Sequence, residues 1–295
     1  MVRAISRKKF LKSTSVALVA AGLPSFSFGK WKNKNALTIG LCGSWTHSAL
    51  AKQAGCSYIE AGVANLLMPD KPYSEFKKQF DSLAATQSLP VACLNVFLPK
   101  ELKSVGDQAD HEAIVKYASV AFHRAEMVGA KIIVFGSSGS RTVPQGFDRA
   151  KAKEQFIALC RALAPQAAKN NITLAIEQLN RTETNFINTL EESAAIVEAV
   201  HHPNLKMMCD IYHALKENDP ATELARYQAH LVHCHIAEQK DRTAPGVMAD
   251  DFRPYFKALK KINYSGRVSL ECKWRNIEIE LPVAVKAMQE QYESA

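Results

Sequence analysis

The chain has 295 residues, 47% hydrophobic and 22% charged, a composition that suits a globular fold and excludes a collagen-like, disordered or disulfide-framework chain. Lys and Arg outnumber Asp and Glu by 37 to 29. Residues 1–29 hold five of those bases (Arg3, Arg7, Lys8, Lys9 and Lys12) and none of the acids, which leaves +3 on residues 30–295. So small an excess argues against a nucleic-acid partner, which needs a concentrated basic surface.

Residues 1–29 read as an export signal: a basic start, a short apolar run from Val16 to Leu23, and small residues near Ser27 and Gly29. The string SRKKFLK at 6–12 is similar to a twin-arginine signal, with Lys8 where the second arginine usually stands. The expectation is a periplasmic protein exported through the twin-arginine route, its mature domain spanning 30–295. A Sec signal and a plain N-terminal helix are the alternatives. That stretch contains no cysteine, so lipid attachment is not expected, and no uninterrupted run of about 18 apolar residues suggests a membrane span.

Short apolar runs then alternate with longer amphipathic ones. The strand-like runs are ALTIGLC (36–42), YIEAGV (58–63), VACLNVF (91–97), KIIVFG (131–136), ITLAIE (172–177), LKMMCD (205–210), LVHCHI (231–236) and RVSLEC (267–272). Most are continuous rather than alternating, as parallel strands covered on both faces require. Segments 111–130 and 147–170 carry helical patterns. Eight such alternations predict a single α/β domain, a (β/α)₈ TIM barrel. An open doubly wound sheet shares the pattern, but no GxGxxG follows the first strand. GSSGS at 136–140 reads as a turn. Cys42, Cys93, Cys209, Cys234 and Cys272 sit singly in apolar runs, as buried thiols do, and no CxxC pair appears.

Four late strands end in residues able to bind a metal: Glu177, Asp210, His235 and Glu271. In a barrel, strand C-termini face the active-site mouth, and an unpaired charge after an apolar run is costly. Four ligands converging on one cation would satisfy one another. Three carboxylates and an imidazole favour Mn²⁺, Mg²⁺ or Co²⁺, with Zn²⁺ acceptable. His233 reads as a partner behind His235 or as a pocket residue, and Glu60 and Asn95 as substrate contacts or rim. Trp45, His47, Phe97 and Trp274 read as a wall for a sugar ring or as core.

Segment 172–190 together with CDIYHA, HCHIAEQKDRTAPG and GRVSLECKW resembles the xylose isomerase-like barrel superfamily, and within it the sugar epimerases and isomerases of the D-tagatose 3-epimerase and hydroxypyruvate isomerase type. The resemblance implies one divalent metal on Glu177, Asp210, His235 and Glu271, with Glu177 and Glu271 as the acid/base pair. It further implies sugar contacts from Glu183, His213 and Arg242. A helix-start carboxylate is the bland reading of Glu183, and a structural hydrogen bond that of His213. Arg242 follows His235 by seven residues, one more than in the epimerases compared, which leaves its reach open. A homo-oligomer is compatible with this resemblance.

Such a site moves a carbonyl or stereocentre by removing a proton beside a carbonyl, through an enediolate that a divalent metal stabilises. The expected substrate is a non-phosphorylated sugar or keto-sugar, because CKWRNIEIELP after the eighth strand lacks a glycine-rich phosphate cradle. A lyase cleaving 3-keto-glycosides would begin with the same proton abstraction. An endonuclease IV-like enzyme needs more metal ligands than this chain offers, and a sugar-binding protein without activity is the remaining alternative.

Overall fold

The computed structural model describes residues 37–295; the export-signal reading of residues 1–29 lies outside them. Eight strands, β1 (Thr38–Cys42), β2 (Tyr58–Gly62), β3 (Val91–Asn95), β4 (Ile132–Phe135), β5 (Thr173–Ile176), β6 (Leu205–Asp210), β7 (Leu231–Ile236) and β8 (Arg267–Leu270), follow one another around a closed barrel. All pairings are parallel, and β1 closes on β8 with Thr38 opposite Arg267 and Leu41 opposite Leu270. The open sheet is thereby excluded.

Helices follow the strands, the long ones being His111–Val128, Arg149–Lys169 and, after β8, Ile277–Glu293. Asp110 and Asp148 cap the first two, accepting from Ala113 N and Lys151 N at 2.9 and 2.8 Å. Among the described residues, no helix is long and apolar enough to cross a membrane.

Side chains alternate across a strand, so the residues two places before the candidate ligands share their inward face. These are Ala175, Met208, His233 and Ser269, all fully buried. They form a floor beneath the mouth. The opposite faces of the strands pack on the helices through a chain of aromatic rings, in which Phe97 stacks on Phe122 at 5.5 Å and meets Phe135 edge-on at 5.2 Å. Phe97 is therefore core, not a sugar-facing wall. β3 ends at Asn95, and Val96 adopts φ 49°, a left-handed turn rare for a β-branched residue, beyond which Phe97 lies buried among those rings. Trp45, His47 and Trp274 stay partly exposed.

The seven cysteines are all free, and all but Cys272 are buried. Burial raises the thiols of Cys42, Cys93, Cys160 and Cys209, which makes them inert fillers at neutral pH.

Candidate active site

Glu177 stands one residue beyond β5, Asp210 ends β6, His235 is the penultimate residue of β7, and Glu271 stands one residue beyond β8. Each supplies one ligand-type atom to a group whose members lie within 4.8 Å of one another. His235 Nδ1 is 3.2 Å from Glu177 Oε1 and 3.0 Å from Glu271 Oε2. Glu177, Asp210 and His235 are buried, and Glu271 retains partial access to the mouth.

Three acids this close repel one another. Burial pushes the Asp210 carboxyl up to about 6 against the opposing pull of Arg242, and burial raises Glu177 as well. Burial would raise Glu271 too, but His235 and Arg242 outweigh it and hold it at about 2. Burial alone would lower the His235 imidazolium; Glu60, Glu271 and Glu177 together raise it well above its usual range. Glu177 Oε1 has no hydrogen-bond partner among the described residues. A buried, partnerless carboxylate oxygen in a pocket of three acids is the condition a hard divalent cation relieves, and the oxygen-rich donor set fits one.

Glu60 is the residue that sequence reasoning misplaced. It lies on no rim: it is fully buried in the barrel interior. Its Oε1 accepts from His235 Nε2 at 2.9 Å, and its Oε2 pairs with His233 Nε2 at 2.7 Å and with Ser269 Oγ at 2.6 Å. Burial would raise its pKa, but the two histidines overcome this and drive it far below the usual carboxylate range. Because a carboxylate accepts, Glu60 keeps a proton on His235 Nε2, so that Nδ1, the nitrogen turned to the mouth, is the one able to give up its proton to a metal. His233 is thus a partner behind the site rather than a pocket wall. The available signal was a lone acid within an apolar strand run and a HxH strand to pair with it.

The three expected sugar contacts gather around the same point. Arg242 reaches it: its guanidinium contacts Glu271 Oε2, lies 3.3 Å from both Asp210 Oδ2 and Glu183 Oε1, and sits over the Tyr212 ring at 4.8 Å. Asp241 and Arg242 are both left-handed, φ 57°, a local strain that recurs at functional loops. Glu183 belongs to a turn and not to a helix start, the next helix beginning at Leu190. His213 is fully buried; its Nδ1 accepts from Asn180 N at 3.1 Å, so Nε2 bears the proton. That Nε2 has no hydrogen-bond partner among the described residues and lies 3.4 Å from Asp210 Oδ2. Burial lowers His213 to about 4, keeping it neutral. Asn95 turns inward and donates to Glu271 Oε1 at 3.2 Å.

The loop after β7 is built around Glu238, a residue the sequence did not mark. Its buried carboxylate accepts from Gly246 N at 2.9 Å, Met248 N at 2.6 Å and Thr243 Oγ1 at 2.7 Å. Arg242 rides on this loop, and its carbonyl receives Lys273 N at 2.8 Å.

A family model described as xylose isomerase-like TIM barrel matches residues 48–293. The L-ribulose 3-epimerase of Methylomonas sp. (strain DH-1) is 33% identical over 260 residues, covering 80% of this chain and 87% of that protein. In structure, the chain is similar to a D-allulose 3-epimerase from Methylomonas sp. in complex with D-allulose (TM-score 0.70, 24% identity, 88% and 98% of the two chains). It is also similar to the 3-keto-D-glucoside 4-epimerase from E. coli (TM-score 0.71, 21% identity, 88% and 100%). With a closed eight-stranded barrel, metal-type ligands on its last four strands and these likenesses, the chain belongs to the xylose isomerase-like TIM barrel family.

Proposed function

We propose that this protein is a divalent-metal-dependent epimerase or isomerase of a non-phosphorylated keto-sugar, with Glu177 and Glu271 as its proton-transfer pair. The observation that carries the reading is how these two carboxylates divide their oxygens. Glu177 Oε1 and Glu271 Oε2 turn to His235 Nδ1. Glu177 Oε2 lies over Gly136 and Glu271 Oε1 beside Asn95. Each acid can thus hold a cation with one oxygen and move a proton with the other.

A divalent cation held by Glu177, Asp210, His235 and Glu271 would supply Lewis-acid stabilisation of negative charge on adjacent sugar oxygens, worth several kcal/mol. The chain's own residues do the rest. One glutamate removes the proton beside the carbonyl, and the other delivers a proton to the opposite face of the same carbon or to its neighbour. Arg242 and the His213 Nε2–H donate to sugar oxygens, while Glu183 accepts from a hydroxyl.

The loops support a substrate without phosphate. At the helix after β8, Asn276 Oδ1 already accepts from Glu278 N and Ile279 N at 3.0 and 3.3 Å, and Glu280 Oε2 accepts from Arg275 N at 3.0 Å. Glu238 likewise occupies the amides after β7. A phosphate arriving at either place would meet acids and spent donors.

The test is proton exchange in D₂O with free ketoses and 3-keto-glycosides, followed by NMR. Metal-dependent exchange beside the carbonyl, abolished in Glu177→Gln, is expected; exchange that persists in that variant would remove Glu177 from the mechanism. An epimeric or isomeric product supports the reading, whereas release of an aglycone would make the enzyme a lyase. We further infer, from residues 1–29 alone, export to the periplasm through the twin-arginine route. Fusing that segment to a reporter that is active only when exported folded tests it.

A further inference from the structure

The segment GSSGSR at 136–141 does more than turn the chain: it packs directly against Glu177. Gly136 follows β4, and a Cβ placed there would collide with Glu177 Oε2 and lie 3.1 Å from its Cδ. To make room the carboxylate, whose other oxygen lies 3.2 Å from His235 Nδ1, would have to move. Five residues on, Arg141 is wholly buried. Its Nη1 donates to Phe135 O at 2.9 Å, and its Nη2 donates to Glu177 O at 2.7 Å and Ile187 O at 3.4 Å. One guanidinium thus joins the end of β4, the end of β5 and the loop carrying Glu183. Between glycine and arginine, the left-handed Ser137 (φ 41°) redirects the chain, and its Oγ accepts from Leu98 N at 2.9 Å.

A buried arginine is costly and is ordinarily paired with an acid. Arg141 ends its hydrogen bonds on main-chain carbonyls, and its Nε has no partner among the described residues. Burial lowers it only to about 10, with Glu177 the foremost charge opposing that drop, so it remains cationic at neutral pH. Arg124 offers the contrast. It too caps carbonyls, those of Leu67 and Lys71 at 2.9 Å each, but it lies over the Phe76 ring and hydrogen-bonds none of the site residues.

We propose that Gly136 and Arg141 are positioning residues that together seat Glu177. The glycine leaves the space Oε2 occupies, and the arginine clamps the main chain from which the side chain hangs. The same clamp holds the loop that brings Glu183 to the mouth. The kinetic consequence rests on the proton-transfer role proposed for Glu177; the geometric consequence does not.

The experiment compares Gly136→Ala, Arg141→Lys and Arg141→Met with Arg124→Met, each as the full chain and checked for folding by circular dichroism and melting. In Gly136→Ala, a crystal structure should show the Glu177 carboxylate displaced from His235 Nδ1, and calorimetry should show Mn²⁺ affinity about tenfold weaker. A misplacement near 1 Å should lower kcat for proton exchange about 100-fold, with KM changed less than about threefold. Arg141→Met should lose kcat comparably. Arg141→Lys, which keeps the charge without the planar fork, should recover part of it. Arg124→Met should lower the melting temperature while kcat and Mn²⁺ affinity stay at wild-type values. Gly136→Ala with Glu177 in place and Mn²⁺ affinity unchanged would overturn the proposal. So would an Arg141→Met that behaves as Arg124→Met does. Should Arg141→Met fail to fold, Gly136→Ala and Arg141→Lys decide. If the wild type exchanges no proton with any keto-sugar, the proposed function falls, while the crystal structure and calorimetry still judge the seat.

Discussion

Removing the Glu60 carboxylate should damage metal binding from behind the site. Glu60 touches no candidate ligand except His235, whose Nε2 it holds at 2.9 Å, and it simultaneously holds His233 at 2.7 Å and Ser269 at 2.6 Å. In Glu60→Ala the imidazole of His235 loses the acceptor that fixes its proton on Nε2, so Nδ1 becomes a weaker and less oriented donor. Partners of this kind are worth 10–100-fold in metal affinity, or about 1.4–2.8 kcal/mol. Breaking a buried charged pair from one side also costs about 3–5 kcal/mol of stability, since two histidines and Ser269 lose a shared acceptor. Glu60→Gln retains one carbonyl oxygen and should fall between, nearer tenfold. Mn²⁺ titration of EDTA-stripped protein by calorimetry, alongside urea unfolding, reads both quantities. A folded Glu60→Ala that binds Mn²⁺ as tightly as wild type would refute the reasoning, because His235 would then need no partner.

Other outcomes follow from the same geometry. Metal must displace a proton from His235 at neutral pH, and a second from Asp210 as pH falls through about 6. Apparent affinity should therefore fall with acidity, more steeply below about pH 6, by as much as tenfold per unit for each proton displaced; an affinity flat between pH 5 and 8 would contradict this. Glu238→Ala strands the amides of Gly246 and Met248 at about 1–3 kcal/mol each. It should raise KM through Arg242, and steady-state kinetics showing wild-type KM would separate the loop from the site. His213→Leu removes the Nε2–H donor and should raise KM about tenfold, the worth of one hydrogen bond; unchanged KM would assign His213 a purely structural part.

Much of the barrel was legible because parallel strands covered on both faces must be continuous apolar runs. LKMMCD and LVHCHI match β6 and β7 residue for residue, while the other runs overshoot by one or two residues at their ends. The overshoot is informative, since Glu177 and Glu271 lie just beyond the last paired residues of β5 and β8. The four candidate ligands stood out because they are polar where apolar residues end. Glu60 was not, because its meaning depends on His233 and His235, which are 173 and 175 positions away. Only barrel closure brings them together. Phe97 stayed open between wall and core because the left-handed turn at Val96 changes the face on which it lies, and β-branched residues seldom advertise such a turn. Arg141 and Glu238 bond largely to main-chain atoms, and Gly136 matters only through the Glu177 carboxylate packed against it, features that leave no residue-type signature in a single sequence.

The measurement that tests the central reading most directly is deuterium incorporation by NMR. Wild type and Glu177→Gln, each loaded with Mn²⁺ or Mg²⁺, would be incubated in D₂O with a panel of ketoses and 3-keto-glycosides, with and without EDTA, and each reaction quenched before its spectrum is recorded. The account predicts exchange at a carbon beside the carbonyl in wild type alone, abolished by EDTA and accompanied by an epimeric or isomeric product. Exchange that survives EDTA, or that survives the loss of the Glu177 carboxylate, would contradict it.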